Sequence, residues 1–573
     1  MKAPSSQNCL NVILVCVLVA LIGATIILAC VPPVSRDALT HHLAVPKLYL
    51  EHGGMYEIPA LVFSYYPMNL NLLYMISLYF GNDIIPKIIH LTFALFTAWL
   101  IFSFLKRRCD MAYAMIGVLF FISLPIIVKL SITAYVDLGL VFFSTAALLS
   151  LFKWMENSFK LKYLIISAIW CGLALGTKYN GLVLLFLFVL FVPLIYSRKM
   201  GPNAALKQTV DRQKKYDIFG KACGYATVYM IIALVMFSPW ATRNYIWINN
   251  PIYPLYDNWF NADNARSRLD PDTDLQHHVR ETSRYVNQFT NPFVTRKVIF
   301  KESVWQILMI PLRVFFQGKD DDPKYFDGRL NPYLLLLPFF AFFPKNKDNA
   351  KYQAEKKMLL GFSVLFLLIV FFQRDLRIRY IAPIIPPLVI LSTFGLRNLI
   401  HTFALKNPWP AGRIRTGFVA VGIAVLICMN IIYIWGQFKF VQPISYISGK
   451  VGRDTYIEKY RPEYATIRFA NQYLPEDAKL FCLFLGDRGY YSDREMFFGD
   501  TVFSQIVKRA NSAERLWLEF HKNDITHLLI RYDVFNQWSG HQFNGREKGV
   551  LAHFFKGFTT LIFAKGGYGL YRL

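Results

Sequence analysis

Long apolar runs separated by short polar connections dominate the first three quarters of the chain. A membrane-crossing helix needs about 20 mainly apolar residues. On that template the pattern predicts spans near 10–30, 85–105, 111–129, 138–154, 163–177, 181–196, 222–240, 331–344, 357–373, 381–396 and 416–436. The fold class is therefore an α-helical polytopic membrane protein with about 11 transmembrane helices. No small-residue cleavage site separates the first run from "CVPPVSRD", so it reads as an uncleaved helix. Beyond residue 436 the pattern changes. "KLFCLFLG", "THLLIRYDVF" and "TLIFAKGGYGLYRL" look like strands, and "TVFSQIVKRA" and "AERLWLEFHKND" look like helices. Strands mixed with helices predict a small C-terminal α/β domain.

The polar connections are unequal in charge. "KRR" at 106–108, "FKLK" at 159–162, the stretch 197–215, "KNKDNAKYQAEKK" at 345–357 and "LKNPWPAGRIR" at 405–415 all fall on one side. The positive-inside rule makes that side cytoplasmic. Two domains follow: residues 1–436 in the membrane, with outer loops 31–84 and 241–330, and an extracytoplasmic domain over 437–573. Two stretches of the first outer loop, roughly 36–52 and 68–81, are too short to span and are expected to lie along the membrane surface.

Composition agrees with this class. Of 573 residues, 55% are hydrophobic and 17% charged, against about a quarter charged in soluble domains. The net charge of +25 sits largely in the short inner loops, which makes it a topology signal rather than a nucleic-acid footprint. The eight cysteines form no metal-type pair and predict neither a disulfide framework nor a thiolate zinc site. A P-loop, a dinucleotide fingerprint, H-E-x-x-H and G-x-S-x-G are all lacking, so no nucleotide cofactor is expected.

The candidate chemistry lies on the outer side. Asp37, in "SRDALTHHLA", closely follows the first span, with His41 and His42 one turn on. A helix cap is the alternative use of this acid. Asp137 opens the fourth span in "AYVDLGL", where an ionisable group is costly unless it faces a polar cavity. Lys178 stands at the tip of "GLALGTKYNGL", with snorkelling as its alternative. Arg243 and Asn244 follow the seventh span, and Arg374, Arg377, Arg379 and Tyr380 precede the tenth. Three outward arginines within six residues run against the topology rule and suggest an anionic ligand such as a lipid phosphate. His277 and His278 lie in a polar stretch and read as solvated.

Taken in order, "SRDALTHHLA", "YYPMN" with Tyr66, "AYVDLGL", "GLALGTKYNGL", "PWATRNY…NPIYPLY" and "RYIAPIIPPLVIL" resemble the lipid-carrier-dependent glycosyltransferases of the GT-C fold. This clan includes protein O-mannosyltransferases and the aminoarabinose transferase of lipid A. The resemblance implies an inverting transfer from a polyprenyl-phosphate sugar to an extracytoplasmic acceptor, in the cell membrane of a bacterium, with the site facing the periplasm. Asp37 would be the catalytic base and Asp137 its companion. His41, His42, Tyr66, Lys178, Arg243, Arg374, Arg377, Arg379 and Tyr380 would contact substrates. Many relatives carry two adjacent acids in the first loop, whereas Asp37 is followed by Ala38, so a divalent cation is left open. A lysine that aminoarabinose-type relatives carry near "YYPMN" is missing. The competing classes are a transporter or flippase of a lipid-linked anion and a non-enzymatic binding module.

Overall fold

The computed structural model describes residues 6–200, 212–261, 292–343, 352–371, 376–406 and 411–573. Helix α1 (Ser6–Ala29) leads into a first outer loop holding a wide π-helical turn (Ala38–His42), α2 (Ala44–Glu51) and α3 (Asn69–Tyr79). The bundle continues with α4 (Ile85–Lys106), the pair α5 (Met111–Ser123) and α6 (Pro125–Ser131), α7 (Asp137–Glu156), α8 (Leu161–Leu175), α9 (Gly181–Met200) and α10 (Arg212–Ile248). It closes with α11 (Tyr333–Phe340), α12 (Gln353–Phe371), α13 (Ile385–Lys406) and α14 (Ala411–Val441).

Among the described residues seven helices are long and apolar enough to cross a membrane, or eight if the α5–α6 pair counts as one span bent by 64°. The bend falls at Leu124–Pro125, where proline has no amide hydrogen to continue the helix. The other expected spans are the 15-residue α8, the 8-residue α11 and the 19-residue α12, the last of which carries Glu355, Lys356 and Lys357 near its start. One face of each packs on neighbouring helices, and Ile166, Leu336, Phe339, Val364 and Leu365 stay exposed on the other. Helix α11 packs on α13 so closely that a Cβ on Gly395 would stand 1.9 Å from the Leu337 carbonyl oxygen.

At one end of the bundle Arg108 pairs with Glu355 at 2.6 Å and with Glu156, pinning α4, α7 and α12 where the basic connections gather. Asp37 and Asp137 lie at the opposite end. There the C-terminal segment folds as a five-stranded sheet of order β2-β1-β3-β5-β4. Its strands are β1 (Lys479–Leu483), β2 (Glu495–Phe498), β3 (His527–Arg531), β4 (Thr560–Lys565) and β5 (Tyr568–Arg572). Strand β1 runs parallel to β2 and β3, and β5 is antiparallel to β3 and β4. Along β1 the side chains alternate. Phe481 and Leu483 join a core with Phe503, Phe520 and Phe554, while Leu480 and Cys482 pack with Ile467 and Leu570. The β4–β5 turn uses Gly566 and Gly567 at φ +60° and +84°, a conformation closed to most side chains. The strand expected across "THLLIRYDVF" stops at Arg531, and a helix begins at Tyr532.

The polar run "GDRGYYSDREMFFGD" of this domain docks on the first outer loop. Lys47 donates to the carbonyls of Tyr490 and Ser492 at 3.2 and 2.7 Å and pairs with Asp493 at 2.9 Å. The Tyr490 amide donates to the Leu39 carbonyl, and the Tyr491 hydroxyl donates to that of Pro33. Arg453 pairs with Asp83, and Arg488 turns back to Glu463, both at 2.5 Å. The Leu39 carbonyl belongs to the π-helical turn, which bonds i to i+5, so the docked loop donates directly to the turn that follows Asp37.

Candidate active site

Asp37 does not cap a helix. Its carboxylate makes no capping hydrogen bond and takes one from Arg379 Nη1 at 2.6 Å. Burial would raise this carboxyl, but the Arg379 guanidinium 2.6 Å away holds it well below the usual carboxylate range. The π-turn then buries both imidazoles. Their ring centres lie 4.0 Å apart, and His41 stacks on Phe63 at 4.5 Å. Burial pushes His41 down to about 4, against the pull of Asp37, and it also pushes His42 down. Both are therefore neutral at pH 7. Asn71 Nδ2 faces His42 Nδ1 at 3.3 Å and donates to the His42 carbonyl, fixing the second ring.

Asp137 begins α7 with its side chain fully buried, and Lys178 reaches it at 2.6 Å. Lys178 thus points inward, and snorkelling does not describe it. His90 organises this helix start. Its Nε2 accepts the Leu138 amide at 2.9 Å, which leaves Nδ1–H to donate to the carbonyls of Leu130 and Thr133. Tyr380 bridges the two acid–base pairs, since its ring lies 5.0 Å from Lys178 Nζ and 5.2 Å from the Arg379 guanidinium carbon. Tyr135 covers Arg379 from another side at 5.2 Å.

A second group adjoins this centre through Phe63, whose ring meets that of Tyr66 at 5.4 Å. Tyr66 packs on Tyr179, and its carbonyl accepts from Arg243 Nη2 at 3.2 Å. Arg243 lies between the rings of Trp240 and Trp247, 4.8 Å from each, and also donates to Asn244 Oδ1. Arg377 is further out, 3.4 Å from Asp327, which Lys129 also holds at 3.0 Å. Arg374, His277 and His278 lie outside the described residues.

Five buried polar atoms here have no hydrogen-bond partner: His41 Nδ1, Asp137 Oδ2, Arg379 Nε, Arg243 Nη1 and Tyr49 Oη. Each such atom costs about 1–3 kcal/mol if nothing serves it, and five in one region mark a place built to receive polar groups. The donor set does not suit a divalent ion. Among the described residues no three carboxylate, imidazole or thiolate groups converge on a point, and each acid is already held by a side-chain cation. Sequence reasoning missed Phe63, Asn71, His90, Tyr135 and Asp327. Of these only His90, an imidazole inside an apolar run, carried a signal.

A bent membrane bundle with an outer loop of surface helices and a mixed sheet seated above it is the GT-C architecture. The chain shares it with ArnT from Cupriavidus metallidurans. It aligns with the apo crystal structure at a TM-score of 0.55 and 12% identity, covering 99% of this chain and 98% of that one. With the crystal structure of the same protein bound to undecaprenyl phosphate the TM-score is 0.52 at 13% identity, over 100% and 98% of the two chains. A family model for dolichyl-phosphate-mannose-protein mannosyltransferases matches residues 72–205. A comparison with curated protein sequences finds no match.

Proposed function

We propose that this chain is an inverting glycosyltransferase that moves a sugar from a polyprenyl-phosphate carrier to an extracytoplasmic acceptor. The observation that carries the reading is the Asp37–Arg379 pair beside Asp137–Lys178, ringed by unpartnered buried polar atoms at one end of the bundle. The same fold in ArnT accommodates undecaprenyl phosphate, and the matched family model is named for a polyprenyl-phosphate sugar donor.

The chemistry follows from the charges. An acceptor hydroxyl attacks the anomeric carbon from the face opposite the phosphate. The new C–O bond forms as the bond to the phosphate oxygen breaks. The proton passes to Asp37, and the departing electron pair stays on the phosphate. Arg379, Lys178 and the outer Arg377 stabilise that growing charge, the larger share of such catalysis. Arg243, with a buried free Nη1, is a further candidate for the phosphate. While Arg379 holds Asp37, the carboxylate is a weak base. A donor phosphate that engages Arg379 weakens the pair and raises the basicity of Asp37, so base strength develops only with donor in place. Asp137 keeps Lys178 beside Tyr380, within the same group as Arg379.

The basic connections at the other end support an orientation with this end outside the cytoplasm, which in a bacterium is the periplasmic face of the inner membrane. A reporter active only in the cytoplasm, fused after Leu573, should therefore be silent. The decisive experiment follows label from a polyprenyl-phosphate sugar to a cell-envelope extract in reconstituted vesicles. Transfer that falls about 10²–10⁴-fold in Asp37→Asn, with donor binding kept, supports the reading. Movement of the lipid across the bilayer without transfer would point to a flippase, and near-normal transfer in Asp37→Asn would remove Asp37 as the base.

A further inference from the structure

A separate cavity of about 510 Å³ opens at the same end of the bundle, between the segment 296–317 and the hairpin 319–328. Lys301, Glu302, Arg313, Lys319 and Lys324 line it, with Phe316 as an apolar wall. The charges do not cancel. Glu302 is buried and held by both Arg296 at 3.2 Å and Arg313 at 3.0 Å, so that triplet carries one net positive charge. Lys319 is offset by Asp322 at 3.2 Å. Lys301 and Lys324 have no acidic partner within ion-pair distance among the described residues. The hairpin acids Asp320, Asp321 and Asp327 meet Lys129 and Arg377, which leaves one negative charge against the three positive ones of Lys301, Lys324 and the triplet.

The short helices that carry Gln306 and Arg313 into the cavity lining also present an apolar, uncovered face. Trp305 is 72% exposed, and Val304, Leu308, Met309 and Leu312 are exposed beside it on the same short helices. The Ser303–Gln306 capping box and the Arg313 bonds to Gln306 and Gln317 hold those helices in shape. Exposed Trp and Leu beside lysines on surface helices next to a membrane bundle match an interfacial segment lying at headgroup depth. A basic cavity opening there meets phosphates attached to acyl chains sooner than free anions.

We infer that this cavity binds the phosphorylated headgroup of an anionic lipid of the outer leaflet, with Lys301 and Lys324 as its principal contacts. The site is distinct from the Asp37 centre and stands whether or not the transfer reaction is the one proposed above.

The test uses the full chain in phosphatidylcholine nanodiscs doped with a photo-crosslinkable phosphatidylglycerol, or with a phosphatidylcholine of identical tails. Crosslinked peptides are located by mass spectrometry, and folding is checked by thermal unfolding. The anionic probe should label peptides within 296–325 well above the zwitterionic one. A lysine near a membrane surface contributes about five-fold to anion binding, so Lys301→Gln/Lys324→Gln should lower that labelling roughly thirty-fold while labelling elsewhere persists. A milder Lys324→Gln alone should lose about five-fold. Equal labelling by the two probes, or unchanged labelling in the double variant, would overturn the assignment. Displacement by millimolar inorganic phosphate would overturn the lipid as its source and leave a site for a small soluble anion.

Discussion

Replacing Arg379 by Gln separates the two forces acting on Asp37. With one N···O contact at 2.6 Å, the charge centres lie about 4 Å apart, and such a pair attracts by about 4 kcal/mol at an effective dielectric of about 20. Breaking a buried pair by removing one partner costs about 3–5 kcal/mol. Asp37 keeps 22% of its side-chain surface, which places this case near the lower figure. In the native protein the carboxyl is depressed below its unfolded value. Its stabilising contribution is therefore complete above the unfolded carboxylate pKa of about 3.9 and is lost as pH falls toward the lower folded value. In Arg379→Gln burial prevails and the carboxyl moves above the ordinary range. The variant is then penalised most at neutral pH and recovers as acid protonates Asp37. Two measurements follow. The stability gap between native and variant protein, from unfolding in detergent, should narrow as pH falls from 7 toward 4. The acid limb of kcat/KM for transfer, which reports the free enzyme, should shift to higher pH in the variant. A gap independent of pH together with an unmoved acid limb would refute the pairing as the control on Asp37.

Other outcomes follow from the same geometry. Lys178→Met strands the fully buried Asp137 carboxylate and should cost about 3–5 kcal/mol. Asp137→Asn/Lys178→Met should recover most of that loss, and a single variant that unfolds at the native temperature would deny the pair its role. Lys47→Met removes three contacts to the docked loop, so transfer should fall while donor binding holds, with partial rescue by Lys47→Arg. Wild-type kcat in Lys47→Met would make the docking incidental.

The membrane class, the gathering of the candidate polar groups at one end and the sheet over 479–573 were legible because apolar run length, charge asymmetry and strand alternation are local. Asp37, Asp137, Lys178 and Arg379 were legible as expensive groups at the edge of apolar runs. Their pairing was not, since it joins residues 342 and 41 positions apart through helix packing that no local pattern encodes. The sequence suggested separate tasks for Asp37 as base and Arg379 as phosphate holder, and the structure places them on one hydrogen bond. Span number was also obscured, because α8 and α11 fold as helices shorter than a bilayer crossing requires. Strand β2, of four residues, offered too little alternation to be seen.

The docking of the 485–493 loop on the first outer loop has a consequence for biogenesis. Lys47 meets partners 443 to 446 residues further along the chain, so the turn that carries Asp37, His41 and His42 emerges early yet waits for nearly the whole polypeptide. Loop closure over that length is slow and entropically costly until the intervening helices have assembled. A nascent or prematurely ended chain therefore carries every acid and base of the membrane centre without the clamp on its first turn. Ordering of the turn that carries Asp37 is thereby tied to completion of the last domain, and an unfinished chain lacks the contacts that hold that turn.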